Sequence, residues 1–338
     1  MTKDHQPSRA SRVMTSASIL AAVPALLLTR SIASAQDGAA PAAPQIIAAS
    51  QDAALPALLP LQDFAAAQAG APAKFRELET KYIFGFTTGS DIGIVGELAI
   101  ESETNLEFQK RQGVFNALEQ EVELEWNPID ALEIEASVHG VFSQIHNVDG
   151  FDNFHGANFG GLSTKVSYNA IARGPGAPIG LTFSAEPEWG RVNDNGRVST
   201  AFGVTGKIVA DTELVPDRLY AAFNAIYSPE VGRDFGDPKW ERGATLGATT
   251  AVTYRLSEHV TLGGELEYYR AYDSLGFQGF AGDAVYAGPT LFAKLTPKLL
   301  LAAAFSTQIT GHAAGINNPL DLTNFSRNKA RLLIEYEF

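Results

Sequence analysis

Carboxylates recur at even spacing along this chain: Glu97, Glu101 and Glu103; Glu119, Glu121, Glu123 and Glu125; Glu133 and Glu135; Glu186 and Glu188; Glu265 and Glu267; Glu335 and Glu337. Side chains two apart in an extended strand point the same way, so each set is a column of negative charge. Such columns concentrate cations and repel anions, and they need offsetting cations, protons or water. Lys165, Lys207, Arg255, Lys294 and Arg331 fall on the matching phase of their own strands and supply the offsetting cations. Two histidine settings could also do chemistry. His139 stands near Ser137 and Ser143 with no local third group to orient it, so no catalytic residue is assigned and no enzyme activity is expected. His146, Asp149, Asp152 and His155 are spaced by three, as a metal-binding helical turn would require. Gly150 and Gly156 work against that turn, and no metal is expected there.

Composition narrows the chemistry further. The chain has 338 residues, a formal net charge of −13 and no cysteine, which excludes disulfides, thiolate metal sites and a cysteine nucleophile. The acidic balance and the lack of any Lys/Arg-rich cluster exclude a nucleic-acid partner. No GxGxxG fingerprint or P-loop occurs, so no cofactor is expected.

The elements that must position the columns begin with an address. Basic residues Lys3, Arg9 and Arg12, an apolar stretch over 19–28 and Ala33-Ser-Ala35 before Gln36 read as a signal peptide over 1–35. Its removal takes four basic side chains and one acidic one, leaving a net charge of −16. Residues 36–75, dominated by Ala, Pro and Gln, read as a periplasmic tether.

Beyond residue 35 no apolar run is long enough for a membrane-spanning helix. Period-two alternation recurs instead, over 121–126, 132–142, 162–170, 202–210, 219–227, 246–256, 262–269 and 285–295. At 132–142, Leu132, Ile134, Ala136, Val138 and Phe142 share one face and Glu133, Glu135, Ser137 and His139 the other. Strands are expected near 95–107, 114–126, 131–146, 158–171, 178–190, 198–212, 217–229, 242–256, 259–272, 283–295, 298–310 and 326–338. Short turns such as Asn127-Pro-Ile-Asp130 and Thr296-Pro-Lys298 alternate with longer links. That is the pattern of an all-β, up-and-down antiparallel transmembrane barrel over 95–338, with twelve strands, or fourteen as the alternative. Residues 76–94 are left over as a plug at the periplasmic mouth or in the lumen. Trp126, Tyr168, Tyr254, Tyr336 and Phe338 fall at periplasmic strand ends and Phe142, Trp189 and Tyr227 at outer ends, as aromatic girdles do. Gln120 is a local misfit on the lipid-facing phase, pointing to a protein contact or a bulge.

The chain ends Arg331-Leu-Leu-Ile-Glu-Tyr-Glu-Phe338, with Ile334, Tyr336 and Phe338 on one face. This resembles the sorting signal that the barrel-assembly machinery reads in bacterial outer-membrane proteins. The strings Ala117-Leu-Glu-Gln-Glu121, Ser184-Ala-Glu-Pro-Glu-Trp189, Leu214-Val-Pro-Asp-Arg218 and Leu322-Thr-Asn-Phe325 together resemble an uncharacterised proteobacterial outer-membrane β-barrel family. That family is similar to the broader group of proposed outer-membrane transporters. The resemblance covers roughly 76–338 and implies fold and a Gram-negative outer-membrane location, without site residues.

On this phase these glutamates, Glu97 to Glu335, are expected to line a lumen. Inward charge is expected of any such barrel, since charge on the lipid face costs several kcal/mol near the midplane. The functional expectation is a porin-like passive channel or uptake pore for a small solute with an acidic, cation-preferring lumen. The alternatives are a non-conducting barrel with a filled lumen that binds a partner, and a lipid-modifying barrel enzyme dependent on His139. The expected partners are outer-membrane lipid, the assembly machinery and an unidentified small solute.

Overall fold

A computed structural model describes residues 78–338; the expected signal peptide and tether lie outside the described residues. Twelve strands follow one another: β1 Leu98–Phe108, β2 Val114–Ile129, β3 Leu132–His146, β4 Phe154–Ile171, β5 Ile179–Val192, β6 Val198–Val215, β7 Leu219–Asp234, β8 Glu241–Arg255, β9 Val260–Tyr272, β10 Phe280–Thr296, β11 Leu299–Ala313 and β12 Asn328–Glu337. Each pairs antiparallel with its sequence neighbours, and β1 pairs with β12 to close the ring. Closure removes every sheet edge, which is what a sheet needs to cross a lipid bilayer with no backbone group unpaired.

The alternation read from the sequence becomes the two faces of the wall. Ile100, Val122, Leu124, Val138, Val166 and Ile208 stay exposed on the outside, while Glu101, Glu123, Glu125, Glu133 and Glu135 are buried on the inside. A soluble protein does the reverse. An apolar exterior around a charged interior is stable only in lipid, so the protein is a transmembrane barrel of the outer-membrane type. Trp126, Tyr168, Tyr254 and Tyr336 project outward near the end that carries the short turns, which is the periplasmic end.

Several boundaries differ from the expected ones for local reasons. β2 continues to Ile129 through a register shift after Trp126, so Asn127 and Pro128 belong to the strand and Asp130-Ala131 alone make the turn. β4 starts at Phe154 and β7 runs to Asp234, so the outer loops are shorter than the links read from composition. Gln120 does not mark a bulge. The ladder runs unbroken from Thr104 through Gln120 to Gly140. Its amide is satisfied on the wall itself, donating to Ser102 Oγ at 3.0 Å and Glu103 O at 2.9 Å and accepting from Thr104 Oγ1 at 2.7 Å.

Candidate functional site

The lumen is filled on its periplasmic side by the segment that precedes β1. Within residues 78–94, Tyr82, Ile83 and Phe84 are buried in a cluster with Tyr220, Ala251, Phe292, Leu300 and Leu333 from the inner wall. Burying side chains of this size stabilises the docked segment by ~1.5–3 kcal/mol each. The chain reverses at Gly85, where φ is 84° and a Cβ would lie 2.5 Å from Thr290 Cγ2 and 2.7 Å from Glu265 Oε1. Only glycine combines that backbone with that clearance.

Polar anchors surround this apolar centre. Thr80 Oγ1 donates to Asp211 Oδ2 at 2.5 Å, and Ser90 N donates to the same oxygen at 2.8 Å. Arg173, from the β4–β5 turn, bridges Asp211 at 2.9 Å and Asp91 at 3.2 Å. Burial and Asp211 raise the Asp91 carboxyl above its ordinary range, with Arg173 and the Thr80 amide offsetting part of the effect. Thr88 and Asn224 exchange two hydrogen bonds, Thr87 N donates to Glu265, and Thr253 donates to Ile83 O. Asn169 and Thr182 donate to Ser90 O, and Arg331 donates to Gly85 O. With the apolar cluster, these contacts attach the plug to every strand from β4 to β12, and Lys81 adds β2 and β3.

The expected carboxylate columns meet at the plug. The register sets Glu335, Glu101 and Glu123 side by side across β12, β1 and β2, and sets Glu125 beside Glu135 and Lys165 across β2, β3 and β4. Two carboxylate triplets, Glu101–Glu123–Glu125 and Glu125–Glu133–Glu135, have one oxygen each within 4.8 Å of one another. The second is centred on the plug's own Lys81, whose Nζ lies 2.7 Å from Glu125, 3.0 Å from Glu133 and 2.8 Å from Glu135. Burial alone would lower the Lys81 pKa, but Glu125, Glu133 and Glu335 raise it well above its ordinary value, so the ammonium stays charged. Lys165 adds a second ion pair to Glu135.

Above the plug lies a chamber of about 380 Å³. Its lining counts nine carboxylates, among them Glu103, Glu121, Glu186 and Glu188, against six basic groups that include Lys165, Lys207, Lys329 and Arg331. Lys329 sits 2.6 Å from Glu267, with its ammonium 4.3 Å from the Phe86 ring centroid and 4.8 Å from those of Tyr269 and Tyr286. Arg331 reaches Glu103 at 2.5 Å. Lys110 and Asp194, paired at 2.7 Å, stand with Ser326 at the outer side.

Not all the residues expected together are together. Arg255 and Lys294 lie apart, in a depression of about 830 Å³ among the periplasmic turns. Glu97 precedes β1 at the same mouth, where it accepts from Ile94 N at 2.7 Å. Ile334 and Tyr336 face outward on β12 beside the terminal Phe338. The four-ligand loop does not converge: Asp152 pairs with Arg197 at 2.7 Å, and His155 packs edge-on against Phe142. His139 has partners that sequence-local reasoning missed, with Nε2 3.2 Å from Ser163 Oγ and Nδ1 3.2 Å from Glu119 Oε1. That order matches nucleophile, base and orienter, but Ser163 is 3% exposed and lies outside the chamber lining. Lys81, Asp91, Arg173 and Asp211 were not anticipated either. Their signal was the surplus of inward carboxylates, which demanded a cation from elsewhere.

The COG4313 outer membrane channel from Pseudomonas putida F1 is similar at 11% identity, with 74% of this chain and 98% of that chain covered and a TM-score of 0.49. The KdgM porin in complex with disordered oligogalacturonate shares 12% identity over 71% of this chain and 99% of that one, with a TM-score of 0.41. The NanC porin shares 12% identity over 71% and 100%, with a TM-score of 0.42. No curated protein matches the chain. A family model covers the plug and the whole barrel, residues 77–338, and the chain belongs to that family, the family of unknown function DUF6662.

Proposed function

We propose that the protein is a channel for a small cationic or zwitterionic solute, closed at its periplasmic side by the 78–94 plug and entered through the outer chamber. The observation that carries this reading is the carboxylate cage around Lys81, in which an ammonium already sits against the acidic inner wall of β2 and β3. A wall that holds one ammonium with three carboxylates suits a solute bearing the same group. The nine-to-six excess of carboxylates in the chamber favours cations over anions at the entrance. Passage requires the plug to shift, so the path is gated rather than open. No catalytic step is part of this reading.

Planar-bilayer recording tests it. The full chain should conduct rarely, and a variant whose plug is loosened at Lys81 should open more often with cation preference. Replacing Glu121, Glu123, Glu133 and Glu135 with Gln should weaken that preference. The anchoring of the plug to β2 through β12 favours a second reading, a non-conducting barrel that presents its loops to a partner. Folded plug variants that never conduct would support the second reading and defeat the first.

A further inference from the structure

The strands carry ten Lys and Arg residues, and their two faces differ in kind. Six point inward: Lys165, Lys207, Arg255, Lys294, Lys329 and Arg331. The four that point outward are Arg191, Arg233, Arg242 and Arg270, with no lysine among them. Each lies within two residues of its strand's outer end, on β5, β7, β8 and β9, so all four lie in one sector near the outer rim. Aromatic rings hold the guanidinium planes: Arg191 lies 5.2 Å from Trp189, Arg233 4.9 Å from Trp240 and Arg270 4.5 Å from Phe280. Phe202 packs against Trp240 between the first two, at 6.2 Å. Among the described residues, no carboxylate forms an ion pair with Arg191, Arg233 or Arg242; of the inward six, Lys165, Lys329 and Arg331 are paired, and Lys207, Arg255 and Lys294 are not.

We infer that this sector of the outer wall is a binding site for the phosphorylated headgroup of an outer-leaflet glycolipid. Snorkelling explains why a basic side chain at this depth extends toward water, but not why all four are arginine and all share one sector. Guanidinium forks bind phosphate oxygens two at a time, which an ammonium cannot do. Strand spacing sets the span from β5 to β8 at roughly 14 Å, the breadth of one phosphorylated disaccharide. Trp189 and Phe202, paired across β5 and β6, and Trp240, packed on Phe202, offer apolar surface to the first carbons of its acyl chains. The end of the barrel fits as well. The outer leaflet of a Gram-negative outer membrane is built from glycolipids bearing phosphate monoesters, each of which carries about −1.5 to −2 charges at neutral pH.

The experiment reconstitutes the full-length barrel into nanodiscs of phosphatidylcholine carrying bisphosphorylated lipid A, its phosphate-free counterpart or phosphatidylglycerol, and counts retained lipids by native mass spectrometry. Selective retention of the bisphosphorylated lipid is expected, falling roughly tenfold for each guanidinium lost in R191Q, R233Q and R242Q. The triple Lys variant keeps the charge without the fork and should retain an intermediate amount. It also controls for folding, as does the heat-dependent electrophoretic shift of every variant. Equal retention of the phosphate-free lipid or of phosphatidylglycerol would overturn the assignment, as would undiminished retention by a folded triple Gln variant.

Discussion

Replacing Lys81 with Gln should release the plug without dissolving the barrel. The ammonium touches three carboxylates at 2.7–3.0 Å and is 5% exposed, so its removal strands buried charge that water cannot reach. Breaking a buried ion pair by deleting one partner costs ~3–5 kcal/mol. The whole cost falls on the docked state, because a plug displaced from the cage leaves those carboxylates hydrated whichever residue stands at 81. At 1.4 kcal/mol per factor of ten, the displaced population should rise by at least ~100-fold. Hydrogen exchange reads this directly at the amides of Ile83 and Gly89, which are bonded to Thr80 O and Lys81 O, while strand amides serve as the internal reference. Single-channel open probability should rise in parallel. Lys81→Arg should keep most protection, and adding Glu133→Gln to Lys81→Gln should restore part of it by removing one stranded charge. Unchanged exchange over 78–94 in a folded Lys81→Gln barrel would refute the premise that the cage holds the plug.

Arg173→Gln removes the bridge between Asp91 and Asp211 and should loosen the part of the plug held by β6, with faster exchange at Ser90. Burial and the neighbouring acids raise Glu79 and Asp91 above their ordinary values, so docking binds protons; plug protection should fall as pH rises above the ordinary carboxylate range of about 4–4.5. Exchange corrected for its intrinsic pH dependence would show this, and stronger protection at high pH would contradict it. Gly288→Ala places a Cβ 1.6 Å from Phe305 O, so β11 must move, and the barrel should lose ~1–3 kcal/mol in thermal unfolding monitored by electrophoretic mobility.

Period two made the wall legible because lipid imposes it: each outward position on β3, from Ile134 to Phe142, had to be apolar or small. The inward carboxylates followed from the same phase. What stayed hidden was pairing across the lumen. Lys81 belongs to a stretch, Lys81-Tyr-Ile-Phe-Gly-Phe, with apolar residues on consecutive positions, and no local pattern says that its ammonium meets Glu125 and Glu135 some fifty residues on. Ser163 reached His139 through the β3–β4 register, and Arg173 reached Asp91 from a turn, both contacts that only the closed ring creates. The outward arginines were in the strand phases all along, but their meaning needed the depth and sector that the barrel supplies.

The plug's position in the chain also constrains the order of assembly. It immediately precedes β1 and is bonded to β2 through β12, and the ring is closed by the pairing of β1 with β12, Ala99 against Glu337. That seam joins the two most distant strands in the sequence, so its loop-closure entropy is the largest in the barrel. A segment this widely bonded has to lie in the open sheet before the seam shuts, or enter afterwards through the periplasmic mouth against its own hydrogen bonds. On the first of these routes the plug would act as a template for closure, with Tyr82, Ile83 and Phe84 giving the curling sheet something to wrap before its edges meet.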